Sequence, residues 1–129
     1  MYDNLLDSNI LIKLIRREQR IENLFLDWHV QKIDLFISVV TRSEIIAGMQ
    51  PHEEKRTLRL LNRLISLPVD ENIADQAGRW IYAYRHQGIQ LSLADTIIAA
   101  TAWAHDLTLV TTNAKHFPMK EVDVLAVNP

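Results

Sequence analysis

Three carboxylic acids in this chain border short apolar stretches, where they could do chemistry. Asp7 follows Leu5-Leu6 and opens the polar step Asp7-Ser8-Asn9. Glu44 follows the apolar run 35–40, and Asp95 introduces the alanine-rich run 96–104. An amide, Asn113, follows the run 107–111 after Thr112. Brought together, the carboxylates would repel one another: two unit charges ~4 Å apart cost on the order of 4 kcal/mol at an effective dielectric near 20. Helix N-termini would offset about 0.3–1 kcal/mol each, and a hard divalent cation far more. Mg²⁺ takes oxygen ligands, commonly one or two protein carboxylates with waters and a substrate phosphate. In that setting a metal activates water and stabilises the leaving oxygen of a phosphodiester. Singly, each acid has a structural reading too: Asp7 as a capping turn, Glu44 closing a capping box with Thr41, and Asp95 doing the same for Ser92.

The choice between these readings depends on the elements that carry the acids. Leu5-Leu6 reads as a first strand, and helix opens from Ile10, with Arg16, Arg17 and Arg20 on its exposed side and Ile21, Leu24, Phe25 and Trp28 as its apolar stripe. Leu35 to Val40 is β-branched, aromatic and almost wholly apolar, as a strand covered on both faces should be. An amphipathic helix is expected over 53–65, with Leu58, Leu61, Leu64 and Ile65 inward, then a short edge strand at Leu67-Pro68-Val69. Asp70 caps a helix that Gly88 ends, and Ser92 caps the helix beginning near Asp95. Strands follow at 107–111 and 122–127, with a turn at 112–118 between them. Strands alternating with helices imply a parallel sheet covered on both faces. Its helix N-termini and strand C-termini share one edge, where open α/β sheets bind ligands. Asp7, Glu44, Asp95 and Asn113 all fall at that edge, so the expected chemistry is metal-assisted phosphoryl transfer on a nucleic acid.

Composition narrows the classes. A length of 129 residues suits one domain over 1–129, and the absence of cysteine excludes disulfides, thiolate metal sites and cysteine nucleophiles. No run is apolar and long enough for a signal peptide or membrane span, so a cytoplasmic protein is expected. The net charge of −2 gives no global basic footprint, so nucleic-acid contact must come from local clusters such as Arg16, Arg17 and Arg20, or Lys55, Arg56, Arg59 and Arg63. Either cluster also reads as a solvated helix face.

Asp7-Ser8-Asn9, the segment 38–44 with its glutamate and later Gly48, Leu93-Ala94-Asp95-Thr96, and Thr111-Thr112-Asn113-Ala114-Lys115-His116-Phe117 resemble, in order, the motifs of the PIN domain. More narrowly they resemble the VapC-type toxins of bacterial toxin–antitoxin pairs. The resemblance spans nearly the whole chain. It implies a three-layer α/β/α fold around a mostly parallel sheet of about five strands, and a Mg²⁺- or Mn²⁺-dependent endoribonuclease. It also implies a homodimer held inactive by a cognate antitoxin protein. Asp7 and Asp95 would be the main metal ligands, with Glu44 completing the cluster. Many relatives carry a further acid after the fourth strand, where this chain has Asn113 and His116; Asn113 would position a metal-bound water or order the acids. Two other readings fit the same motifs: a PIN nuclease of RNA processing or structured DNA, and a catalytically silent binding module. Ser8 and Thr112 are the expected donors to the carboxylates, His116 is expected at a surface turn, and Trp28, Trp80 and Trp103 in the core or an interface.

Overall fold

The computed structural model describes residues 3–129; Met1 and Tyr2, included in the expected domain 1–129, lie outside the described residues. Five short strands, β1 (Asn4–Leu6), β2 (Leu35–Ser38), β3 (Ile65–Leu67), β4 (Thr108–Thr111) and β5 (Val124–Ala126), form one sheet in the order β3-β2-β1-β4-β5. Every pairing is parallel. The helices are α1 (Ser8–Ile15), α2 (Gln19–Val30), α3 (Val39–Gly48), α4 (Glu54–Arg63), α5 (Glu71–Arg85) and α6 (Leu93–His105), with 3₁₀ turns at Pro51–Glu53 and Ala114–His116. Among the described residues no helix is long and apolar enough to cross a membrane.

Strand alternation sorts the core into two layers. Leu5 and Leu109 join Ile73, Ala77, Trp80 and the buried face of α6. Their chain neighbours Leu6 and Val110 join Ile10, Leu11, Ile21, Ile45 and Leu61 from the first four helices. Side chains that alternate across a pleat and are apolar on both sides require helices on both faces, which gives the expected α/β/α layering. The tryptophans are placed as expected: Trp28 and Trp80 are buried and Trp103 packs against the core.

Several boundaries differ from the sequence reading. The expected helix running from Ile10 through Trp28 is two helices. Arg17 adopts φ 59°, in the left-handed region, and the chain restarts at Glu18. The strand expected to reach Val40 ends at Ser38, because the Ser38 hydroxyl accepts from the Val40 amide and caps α3 there. Thr41 is therefore inside the helix, buried, and the expected Thr41–Glu44 capping box does not form. The edge strand is Ile65–Leu67, just before Pro68 rather than across it, so Ile65 faces outward at 48% exposure instead of inward. The caps expected from Asp70 and Ser92 are present, with Ile73 and Asp95 amides donating to them at 2.9 and 3.1 Å.

Arg42 ties α3 to the edge of the sheet. Its guanidinium donates to the Leu61 carbonyl and the Ser66 hydroxyl at 3.4 Å each, and to the Asn62 amide oxygen at 2.8 Å. Arg42→Met keeps the stem and removes these bonds; the expected loss is about 1–2 kcal/mol, a fall in Tm of about 3–8 °C for a domain of this size. A melting curve that does not move would show that the α3–α4–β3 corner is held by packing alone.

Candidate active site

Because all strands are parallel, their C-terminal ends share one edge, and the polar groups singled out in the sequence leave from it. Asp7 directly follows β1 and is the N-cap of α1, which begins at Ser8 rather than at Ile10. Its amide donates to the Val110 carbonyl of β4 at 3.0 Å, so its backbone belongs to the sheet although its side chain caps a helix. Asp7 is only 5% exposed, and its carboxylate accepts from three donors. The Ser8 backbone amide donates to Oδ1 at 2.8 Å, while the Thr111 hydroxyl at 2.7 Å and the Asn9 side-chain Nδ2 at 3.2 Å donate to Oδ2.

Burial holds the Asp7 carboxyl above its ordinary range, and the charges of Asp95 and Glu44 push it the same way; the hydrogen bonds from Thr111 and Ser8 oppose them without prevailing. An anion that is buried, hydrogen-bonded and still destabilised lacks a positive counter-charge. Among the described residues, no group of three or more acidic or histidine side chains stands ready to hold a metal ion. The donor chemistry nevertheless fits a hard cation. The acids acting on one another are all carboxylates, and a hard ion that keeps most of its waters needs only one or two of them.

The other acids are positioned individually. Glu44, exposed on α3, accepts from the Ser8 hydroxyl at 2.6 Å, which links α3 to the first turn of α1. Asp95 sits in the first turn of α6 and its Oδ2 lies 3.4 Å from His116 Nδ1, with side-chain exposures of 27% and 49% respectively. His116 does occupy a surface turn, as expected, and it also touches the acidic edge. Asn113 contributes through its backbone: its amide donates at 2.9 Å to the same Thr111 hydroxyl that donates to Asp7.

Of the two hydroxyls expected to serve the carboxylates, Ser8 does so for Glu44. Thr112 does not: the hydroxyl on Asp7 is that of Thr111, and Thr112 uses its backbone amide, donating to Asn9 Oδ1 at 3.2 Å. Thr111 and Asn9 are thus the two site residues the sequence reading passed over. A hydroxyl at the end of a strand whose middle is Leu109-Val110 was the available signal. The basic residues Arg17, Arg56, Arg59 and Arg63 gather around a cleft of about 210 Å³ with Leu14, Leu60 and Glu22; none of Asp7, Glu44 and Asp95 lines it.

A PIN domain model matches residues 5–124. Ribonuclease VapC10 of Mycobacterium tuberculosis is 39% identical over 120 residues, covering 91% of this chain and 87% of that protein. Ribonuclease VapC19 of the same species is 30% identical over 115 residues, 89% of this chain and 92% of its own length. Among solved structures, a toxin–antitoxin complex from Klebsiella pneumoniae superposes with a TM-score of 0.79 at 28% identity, covering 96% of this chain and 97% of the other. VapBC-1 from nontypeable Haemophilus influenzae superposes with a TM-score of 0.81 at 25% identity, covering 95% and 96%.

Proposed function

The chain belongs to the PIN domain family, and from that premise we propose that it is a divalent-metal-dependent endoribonuclease acting as the toxin of a toxin–antitoxin pair in the cytoplasm. The observation that carries this reading is Asp7: a carboxylate sealed at the C-terminal edge of a parallel sheet, with its proton affinity raised by burial and by the neighbouring charges of Asp95 and Glu44. Relatives named as ribonucleases at 39% and 30% identity support RNA as the substrate. The toxin–antitoxin complex from Klebsiella pneumoniae supports a small protein antitoxin as the partner. A homodimer is part of the same proposal.

Asp7 and Asp95 would hold a Mg²⁺ or Mn²⁺ ion, with Glu44 completing the acidic set from α3. When bound, such an ion supplies Lewis acidity toward a phosphate and a water. The chain's own contribution is order. Asp7 has one orientation because its two oxygens are committed to Ser8, Asn9 and Thr111, and preorganised groups lose little on reaching the transition state. The Asn113 backbone amide orients the Thr111 hydroxyl, while the roles expected of its side chain, positioning a metal-bound water or ordering the acids, are part of the proposal. Ser8 keeps Glu44 over the same edge, and His116 does the same for Asp95. The neutral Asn113, where many relatives carry an acid, favours a site built around one ion or completed by the substrate phosphate.

The test is cleavage of a panel of structured and unstructured RNAs by the purified chain, with Mg²⁺ or Mn²⁺ and with EDTA, beside Asp95→Asn. Cutting that requires the metal and disappears in the variant is the expected result. Equal cutting by wild type and variant would overturn the assignment. Growth arrest on expression, relieved by the product of the neighbouring gene, is expected of a toxin and not of a processing nuclease.

A further inference from the structure

Asp95 and His116 line a second space besides the acidic edge, a cleft of about 350 Å³. Its walls come from residues 89–92, the connection between α5 and α6, and from the turn after β4, with Pro118 at its end. The first wall is fixed at both ends. Gly88, at φ 79°, turns the chain as α5 ends, and the Ile89 amide returns to the Tyr84 carbonyl at 2.9 Å, closing the helix as a left-handed C-terminal residue does. At the other end Ser92 caps α6. A connection held this way presents its side chains in a set order: Ile89, 41% exposed, then Gln90, exposed, then Leu91. Across from them stand Lys115 and His116.

The cleft is therefore lined by apolar side chains together with the Gln90 amide, the Lys115 ammonium, the His116 imidazole and the Asp95 carboxylate. Its volume falls at the lower end of the range of about 300–1,000 Å³ typical of small-ligand sites. It is continuous with the acidic edge through Asp95.

We propose that this cleft is a nucleobase subsite, taking the base of a nucleotide adjacent to the phosphate that is cut. The inference rests on the ribonuclease reading above and adds how a sequence is chosen. Ile89 and Leu91 from one wall and Pro118 from the other offer apolar surface to an unstacked base, as single-stranded RNA recognition requires. Gln90 offers a donor and an acceptor side by side, the pattern that distinguishes base edges. Lys115 meets the flanking phosphate as a point charge. The Lys115 ammonium favours a phosphate-bearing nucleotide over an apolar protein segment as the occupant, and Asp95 places that occupant beside the acidic edge.

The experiment titrates the four nucleoside 5′-monophosphates, without divalent metal, into the ¹⁵N-labelled full chain. Amide shifts are expected at 89–92 and 114–116, with one or two of the four nucleotides favoured. Gln90→Ala should remove the preference among bases, and Lys115→Ala should weaken all four alike by about fivefold, the upper end of what one solvent-exposed charge pair contributes. Shifts confined to the Arg56, Arg59 and Arg63 cleft, or equal binding of all four bases, would overturn the subsite. So would broadening of the cleft amides with protein concentration alone, which would make the cleft an interface between two copies. A second arm sequences the ends released from random-sequence RNA by wild type and Gln90→Ala. An unchanged base preference in the variant overturns the subsite and leaves the nuclease standing. Nucleotide binding in the cleft without any cutting by wild type would keep a base-binding site but remove the nuclease reading, and with it the place of that site beside a cut phosphate.

Discussion

Asp7→Asn is expected to abolish RNA cleavage and, in the metal-free protein, to raise the melting temperature. The two effects have one origin. Losing the carboxylate that would hold the ion removes several kcal/mol of charge stabilisation, a fall in rate on the order of 10³-fold or more. The stability change has the opposite sign because Asp7 is destabilised as an anion. Its folded-state pKa is raised above the ordinary 3.8, chiefly by burial. Such a carboxyl binds its proton more tightly in the native than in the unfolded chain. Its contribution to stability is then fully present below the unfolded value and is lost as pH rises through the folded one. At neutral pH the ion-free protein therefore carries a buried charge without a counter-charge. Asparagine carries none and can keep an acceptor toward the Ser8 amide, preserving the cap of α1. A rise in Tm of about 2–5 °C is expected, the equivalent of ~1 kcal/mol in a domain of this length.

Two further measurements isolate the cause. The Tm difference between variant and wild type should shrink as pH is lowered toward the ordinary carboxyl range, because wild-type Asp7 then takes up its proton. Mg²⁺ or Mn²⁺ should raise the wild-type Tm and leave Asp7→Asn unmoved. A variant that is inactive and melts several degrees below wild type would mean that Asp7 is principally a helix cap. Its role in the chemistry would then need a new assignment.

The parts of this site that were legible in the sequence are those fixed by local chemistry. Leu5-Leu6 followed by Asp7, and Ser92 followed by Asp95, each announce a boundary between elements, and parallel topology then carries both boundaries to one edge. The sheet and its layers follow similarly from Leu5 and Leu6 being apolar on opposite faces. What was not legible is set by tertiary partners or by backbone without a compositional mark. Arg17 enters the left-handed region with no glycine or asparagine to signal it, so two helices read as one. Val39 and Val40 have strand propensity but are helical, because Ser38, the last residue paired with β3, also supplies the cap. The contact between His116 and Asp95 needs the 3₁₀ turn after β4 to place it. The hydroxyl on Asp7 comes from a residue 104 positions away, brought there by the register that sets Leu6 opposite Val110.

That hydroxyl gives the second large effect. Thr111→Val keeps the shape of a fully buried side chain and removes its oxygen, which donates to Asp7 and accepts from the Asn113 amide. The bond to Asp7 opposes the upward pull of burial on that carboxyl. Without it Asp7 holds its proton to higher pH and competes less well for a cation. Groups that orient a metal-binding side chain typically contribute about 10–100-fold in metal affinity or activity. A loss in that range is expected for Mn²⁺ affinity measured by calorimetry, and the acid limb of the cleavage rate against pH should move upward. The Asn113 amide also loses its acceptor, so some stability falls as well, about 1 kcal/mol. Stability alone cannot move the pH limb, and Thr111→Ser, which restores the oxygen and not the methyl, should return the limb to its wild-type position. If valine and serine variants share the wild-type limb and differ only in Tm, Thr111 is a packing residue. Asp7 would then owe its orientation to Ser8 and Asn9 alone.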